Sequence, residues 1–242
     1  MSGYIDIHQH VVYGVDDGPQ NFEEAKIMLE YAAKDGVSNI ISTPHFLAGF
    51  GTFDVNGYAE KIDKMNEFCR QSGLKLKVHT GAEVYYSPEV FEELDVLEKL
   101  TLANSRSLLV EFDRKSSYMD IYSAVHSLSL SGFVPILAHI ERYKSLMRTT
   151  ERVSELREQL YAKVQINCET LLGEGHRRRL KMICRMLNEG LIDYVASDAH
   201  DTVHRKSRMD ESFYFLKEYC GLKCAEALTA GNQSEIVFGG IG

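Results

Sequence analysis

Seven short apolar runs recur along the 242 residues, and their spacing limits the folds open to this chain more than any other feature. They are Tyr4–His8, Asn39–Thr43, Leu76–Ala82, Leu108–Phe112, Pro135–Ile140, Lys163–Asn167 and Tyr194–Ser197. Stretches such as Ile40-Ile41 and Leu108-Leu109-Val110 are continuously apolar, as expected of strands covered on both faces of a parallel sheet. From the end of one run to the next is roughly 27 to 39 residues, the size of a βα unit. Helical patterns fill the intervals. Asn21-Phe22-Glu23-Glu24 has capping-box spacing, and the helix it opens places Ala25, Met28, Leu29 and Ala32 on one face before stopping at Gly36. Tyr58–Ser72, Tyr118–Ser131, Glu151–Leu160, His176–Glu189 and Asp210–Tyr219 read alike, with Gly73, Gly132 and Gly190 closing three of them. No Pro/Ser-rich linker interrupts the series. The expectation is an α/β chain forming one domain over residues 1–242, a distorted (β/α)7 TIM-like barrel in preference to an open doubly wound sheet.

The residues just past the strands carry the chemistry. His8-Gln9-His10 closes the first and His45 comes after the second; the third ends at Glu83 and the fourth at Glu111-Phe112-Asp113. The fifth gives His139-Ile140-Glu141-Arg142 and the seventh Asp198-Ala199-His200. Six of the seven ends thus present His, Asp or Glu, and in a parallel barrel those ends converge on one face. Imidazole with carboxylate is the ligand set of Mn, Fe, Zn and related divalent ions. His8 and His10, two apart on an extended segment, point to the same face. His8, His10, His45, Glu83, Glu111, His139, Asp198 and His200 make eight candidates, with Asp16 or Asp17 as a ninth. That is too many for one ion with open positions, and multinuclear clamps are the usual device for phosphate-ester hydrolysis. Arg142 and Arg205 fall on the same face and suit bidentate phosphate contacts.

Composition narrows the alternatives. The sum of 27 basic and 35 acidic residues is −8, which disfavours a generic nucleic-acid binder. No apolar run approaches the roughly 18 residues of a membrane span, so no membrane insertion is expected. Met1-Ser2-Gly3-Tyr4 enters the first strand directly, leaving no room for a signal peptide, and a soluble cytoplasmic protein is expected. Five widely spaced cysteines without a CxxC pair read as reduced thiols. Six residues beyond them stand Lys75, Glu174, Gly190, Glu226 and Ala230, so the Cys-x5-Arg loop of cysteine-dependent tyrosine phosphatases is missing. Neither a Gly-x-Ser-x-Gly elbow nor a Gly-Lys-Ser/Thr phosphate loop occurs. Phe46–Gly57, with three Phe and three Gly, suits a substrate lid or a plain surface loop equally. His176-Arg177-Arg178-Arg179 is a solvated helix face or a docking patch for an acidic tail.

Asp6-Ile-His-Gln-His10, Val15-Asp-Asp-Gly-Pro19, Ser42-Thr-Pro-His45, Gly81-Ala-Glu83, Val110-Glu-Phe112, Ala138-His-Ile-Glu-Arg-Tyr143 and Ala196-Ser-Asp-Ala-His200 occur in that order. With them the chain resembles the polymerase-and-histidinol-phosphatase (PHP) superfamily. Within it the chain is similar to the bacterial tyrosine-protein phosphatases of capsule and exopolysaccharide loci, the CpsB/CapC type. The resemblance implies the PHP fold and three divalent ions, most often manganese, with Fe, Zn or Mg as substitutes. It selects Asp17 as the ninth ligand. It assigns one ion to His8, His10, Glu83 and Asp198, a second to Glu83, Glu111 and His139, and a third to Asp17, His45 and His200. It makes Arg142 and Arg205 the phosphoryl-binding catalytic residues of a metal-activated hydroxide mechanism. Its substrate is the phosphotyrosine tail of a cognate tyrosine kinase controlling polysaccharide export. The runner-up is a small-molecule, histidinol-phosphatase-like PHP phosphoesterase; a non-catalytic phosphotyrosine-binding module is disfavoured by the intact ligand set. Three divalent ions would take the −8 to −2 and turn the cleft positive. Oligomeric state is not legible.

Overall fold

The computed structural model describes residues 3–49, 54–173 and 177–239. Among the described residues nine strands carry the fold: β1 (Tyr4–Gln9), β2 (Val37–Ser42), β3 (His45–Leu47), β4 (Lys77–His79), β5 (Glu83–Tyr85), β6 (Ser107–Glu111), β7 (Val134–Leu137), β8 (Lys163–Asn167) and β9 (Tyr194–Ala196). The helices are α1 (Phe22–Lys34), α2 (Val55–Gln71), α3 (Leu94–Lys99), α4 (Tyr118–Leu130), α5 (Thr150–Leu160), α6 (Cys168–Leu171), α7 (Arg177–Asn188), α8 (Met209–Cys220), α9 (Leu222–Glu226) and α10 (Asn232–Phe238). The strands form two sheets, ordered β1-β2-β4 and β3-β5-β6-β7-β8-β9, and every pairing is parallel. This is an α/β fold of parallel sheets.

Local chemistry sets the helix starts. The Asn21 side chain accepts from the Glu24 amide at 3.1 Å and caps α1, while Glu24 reaches back to the Gln20 amide at 2.7 Å. Ala25, Met28, Leu29 and Ala32 are the buried face of α1, as their spacing requires. Ser117 and Asp120 form a reciprocal capping box on α4.

The expected third strand does not run through. It breaks at Thr80-Gly81-Ala82, leaving β4 in one sheet and β5 in the other. A Cβ on Gly81 would lie 2.7 Å from Ile41 Cγ2 and 2.9 Å from Leu102 Cδ2, so only glycine lets the chain cross there. The buried Tyr58 hydroxyl lies 2.9 Å from the carbonyls of both Ser42 and Gly81 and ties the break to the end of β2. The same step adds β3, part of a segment expected to be lid or loop. Phe46 is buried there, whereas Phe50, Gly51 and Phe53 lie outside the described residues, as does His176.

The sheets meet along backbone bonds at the strand ends. Asp198 N donates to His8 O at 2.8 Å and His10 N to Ala199 O at 2.9 Å. Thr43 N donates to Gln9 O at 2.9 Å just past the β1–β2 pairing, and Glu83 N to Pro44 O at 3.0 Å at the start of the β3–β5 pairing. Beneath these ends lies a cluster of Ile7, Ile41, Leu109, Ile136 and Ala138, each fully buried. Each large aliphatic there contributes about 1.5–3 kcal/mol of burial, giving the ends a rigid floor. A larger cluster, including Leu29, Val110 and Ile166, joins the sheets to the helices.

The cysteine expectation needs one correction. Cys69, Cys168 and Cys184 are free, but Cys220 and Cys224 are joined in a disulfide with Cα atoms 5.8 Å apart. Gly221, at φ 89°, turns the chain between α8 and α9 and brings the two together, a fold-back that Cys spacing alone does not reveal. Among the described residues no helix is long and apolar enough to cross a membrane.

Candidate metal centre

All nine expected ligand residues converge at the strand ends. β1 supplies His8 and, just beyond it, His10; β3 supplies His45, β5 Glu83 and β6 Glu111. His139 comes after β7, Asp198 and His200 after β9, and Asp17 from the loop before α1. Ligand atoms of eight of them form three groups, each within 4.8 Å: His8, His10, Glu83 and Asp198; His10, Asp17, His45 and His200; and His45, Glu83 and Glu111. His139 falls in none of the three and reaches the centre through Glu83 and Glu111. Glu83 is the hub. Its Oε2 lies 3.3 Å from the Nε2 atoms of His8 and His10 and 3.1 Å from His45 Nδ1, and its Oε1 lies 2.7 Å from His139 Nε2. His139 Nε2 is also 3.5 Å from Glu111. Asp17 Oδ1 stands 3.2 Å from His200 Nε2 and 3.6 Å from His45 Nε2.

The backbone is strained where it delivers two of these side chains. His139 at φ 32° and Asp198 at φ 54° both occupy the left-handed region, which costs of order 1–3 kcal/mol for a residue with a Cβ. That turn ends β7 earlier than its apolar run suggests and swings His139 toward Glu83.

The electrostatics are those of a crowded, buried ion cluster. Burial opposes protonation of His10, yet hydrogen bonds to Asp16 and Glu83 push its pKa up to about 10. His8 rises too, with Glu83 and Asp198 outweighing burial. His200 falls to about 4, through burial and then the neighbouring His10. Burial alone would raise Glu83, but His8 and His139 hold it well below the carboxylate range. Asp198 is likewise held down, against its burial, by His8 and Arg142. Glu111 goes the other way, raised by burial and then by Glu83. The two central carboxylates are therefore ionised although buried, because positive charge surrounds them.

The geometry fits metal ions. His10 Nδ1 is held by Asp16 Oδ2 at 2.6 Å, His8 Nδ1 by Gln165 Oε1 at 3.2 Å and His200 Nδ1 by the Asp198 carbonyl at 3.0 Å. With Nδ1–H held in each, a cation that displaced the Nε2 proton would meet a lone pair directed to the interior, the arrangement that metal-binding histidines adopt. His8 and His10 aim these atoms at each other across 3.4 Å, and buried His200 Nε2 has no hydrogen-bond partner. Imidazole nitrogens and carboxylate oxygens without a thiolate make a donor set for Mn, Fe or Zn.

Arg142 and Arg205 both reach this site. Arg142 Nη2 donates to Asp198 Oδ2 at 2.5 Å and Arg205 Nη2 to Asp198 Oδ1 at 3.0 Å, so the two clamp one carboxylate. Other expectations resolve simply. His79 Nε2 donates to Asn39 Oδ1 at 2.9 Å, His126 and His204 are exposed, and Tyr86 packs on Phe91 and Phe112.

The strand end without His, Asp or Glu proves to be part of the site. Gln165 Oε1 accepts from the His139 amide at 2.7 Å as well as holding His8, and its amide donates to Asn167 Oδ1 at 2.8 Å. Asn167 Nδ2 in turn donates to Asp198 Oδ2 at 2.7 Å. The available signal was the pair of amides two apart in β8, Gln165-Ile166-Asn167, inside a run that is otherwise apolar. Asp6 was also passed over. Buried, its carboxyl pushed up to about 6 chiefly by that burial, it accepts from the Ser197 amide at 3.0 Å and clamps β1 to the end of β9.

Comparison with known proteins places the chain in a family. The family model described as capsular polysaccharide synthesis, CpsB/CapC, matches residues 4–238. Tyrosine-protein phosphatase CpsB of Streptococcus pneumoniae is 32% identical over 237 residues, covering 96% of this chain and 98% of that one. Tyrosine-protein phosphatase YwqE of Bacillus subtilis is 29% identical, covering 93% and 88%. A solved structure from a study of YwqE and CpsB, described as metal-dependent tyrosine phosphatases, superimposes with a TM-score of 0.82 at 28% identity, over 91% of this chain and 89% of its own.

Proposed function

The chain belongs to the CpsB/CapC family of capsular polysaccharide synthesis, and on that premise we propose that it is a metal-dependent protein-tyrosine phosphatase. Its substrate is phosphotyrosine in the tail of a bacterial tyrosine kinase that governs capsule or exopolysaccharide synthesis, and it acts in the cytoplasm. The observation that carries this reading is the convergence of nine imidazole and carboxylate side chains with two arginines at one set of strand ends. We take residues 1–242 as one domain and the two sheets as one distorted seven-unit barrel, supported by the bonds that join β1 to the end of β9.

Three divalent ions, manganese by preference, suit so many donors. His8, His10, Glu83 and Asp198 would hold one, Glu83, Glu111 and His139 a second, and Asp17, His45 and His200 a third. Ions bound there would supply Lewis-acid charge and activate water. The chain's own residues do the rest. Arg142 and Arg205 offer guanidinium forks to the phosphoryl oxygens and offset their charge. Gln165, Asn167 and Asp16 fix the orientation of the groups that meet the ions. Tyrosinate, with a pKa of about 10, leaves more readily than an alkoxide and lightens the demand for a general acid.

The test is turnover by metal-loaded protein of a phosphotyrosine peptide, histidinol phosphate and a nucleotide phosphodiester, with and without chelator. The phosphotyrosine peptide should be preferred and chelation should abolish activity. Activity surviving complete metal removal overturns the mechanism, and preference for histidinol phosphate overturns the substrate.

A further inference from the structure

Beside the metal centre runs a groove of about 870 Å³ whose walls are unusual for so acidic a chain. Seven of its twelve lining residues are Arg or Lys, and none is Asp or Glu. Arg142, which clamps Asp198, belongs to this lining, so the groove opens directly from the reacting end of the molecule. The rest of the lining comes from elements far apart in sequence. Arg114 precedes α4, Lys144 and Arg148 precede α5, and Arg179 lies on α7. Among the described residues none of these four has an ion-pair partner, whereas surface Arg70 and Arg185 pair with Glu67 and Glu189. Arg152 is occupied, donating to the Ser145 carbonyl at 2.7 Å and lying 5.0 Å over the Tyr118 ring.

Unpaired cations gathered without a counter-charge repel one another, which costs stability unless a ligand supplies the anions. Four guanidinium or ammonium groups in a channel also exceed what one phosphotyrosine needs, since its phosphate is already served by Arg142 and Arg205. We propose that this groove binds the peptide flanking the phosphotyrosine, and that it selects flanks rich in negative charge. The proposal rests on the phosphatase reading and adds Arg114, Lys144, Arg148 and Arg179 as specificity-determining residues. A peptide suits the groove because it adjoins the metal centre through Arg142 and offers serines and a ring for backbone and apolar contact, namely Ser116, Ser117 and Tyr118. The anions can be Asp/Glu carboxylates or further phosphates, both of which guanidinium forks accept.

Two measurements on full-length, metal-loaded protein test it. The first compares phosphotyrosine peptides whose flanks carry Asp/Glu, a second phosphotyrosine, or neutral Asn/Gln, using the parent and an Arg114→Ala/Arg148→Ala/Arg179→Ala variant. For anionic flanks the variant's KM should rise about tenfold with kcat unchanged, and the parent's KM should climb with added salt. For neutral flanks and for para-nitrophenyl phosphate, parent and variant should match. Equal KM values for anionic flanks overturn the proposal and leave the phosphatase reading intact. If neither enzyme turns over any phosphotyrosine substrate, that reading fails instead. The second measurement then decides the groove: anisotropy of a labelled peptide carrying a phosphonate in place of the scissile phosphate. Anionic flanks should bind the parent about tenfold tighter than the variant. Tighter, arginine-dependent binding of an RNA oligonucleotide or of phosphatidylglycerol vesicles overturns the peptide assignment.

Discussion

Two buried aspartates stand at opposite ends of β9, and their surroundings differ instructively. Asp193, before the strand, takes two hydrogen bonds from Arg157 at 3.0 and 2.9 Å, one from the Val164 amide at 2.9 Å, and has Lys163 at 3.5 Å. Asp198, after it, is held by Arg142, Arg205 and Asn167, but it also faces His8 and His10 Nε2 at 3.4 and 3.6 Å. Around Asp193 the donors saturate one carboxylate and leave no charge uncompensated. Around Asp198, three further carboxylates and five imidazoles crowd together, a donor set that suits added cations. Paired acid and arginine thus make a structural tie at one end of the strand and a reactive site at the other. In parallel α/β folds the C-terminal ends of the strands are where loops are free to vary and where chemistry collects.

The contrast can be broken experimentally, beginning with the largest effect. Asp198→Asn should lower kcat/KM by more than about a hundredfold, beyond the loss of an outer partner, and reduce bound metal. Steady-state kinetics with metal analysis of the purified variant checks it; full metal content and activity would place Asp198 with Asp193 as a mere tie. Next, Gln165→Met should cost about 10- to 100-fold in metal affinity or activity while the fold persists, because His8 loses its anchor. Calorimetric metal titration beside a thermal melt separates the two. Third, Asp193→Asn should destabilise the protein by about 2 kcal/mol, discounted from the usual cost of breaking a buried pair because Arg157 is partly exposed. Denaturant unfolding measures this, and activity per folded molecule should not change. Loss of metal from that variant would erase the distinction.

The smallest effect concerns a histidine outside both regions. Burial, with Lys77 adding to it, pushes His79 down to about 4. An unfolded histidine binds its proton near 6.5, so between those values the unfolded chain holds more protons than the folded one. The His79 contribution is complete above about pH 6.5 and is lost as pH falls toward 4. Comparing parent with His79→Gln, the stability difference should shift by about 1 kcal/mol between pH 7 and pH 5, allowing for partial exposure. An identical pH slope in both proteins would show that the histidine is not the source.

Much of this architecture is legible one residue at a time, and the exceptions share a cause. β1, β2, β6, β8 and β9 correspond directly to their apolar runs, and α1 to its cap and periodicity. The third run misleads because its continuity hides a crossing at Gly81, and a glycine in a strand pattern does not announce what backbone will press against it. His45-Phe46-Leu47 is too short to signal a strand and is made one by pairing with β5. Gln165 and Asn167 escape a search for ligand types because amides act here on the ligands and not on the ions. Asp16 and Asp17 are chemically identical neighbours in a loop. Asp16 turns inward to His10 Nδ1 and the amides of Gly18 and His45, and only Asp17 is left to face His200.

By itself, then, the order of residues determined which chemical groups stand at the ends of the strands. Apolar runs at the βα period demand parallel strands, and a side chain just past a strand has nowhere else to be. Tertiary structure alone decided which of those groups meet and in what protonation. Their distances depend on how strands stagger, on left-handed turns at His139 and Asp198, and on partners more than a hundred residues away. The cationic groove has the same origin. Arg114, Arg148 and Arg179 carry no common motif and become one surface only because α4, α5 and α7 bring their ends together. Local periodicity is a property of neighbours along the chain, whereas charge convergence is a property of neighbours in space.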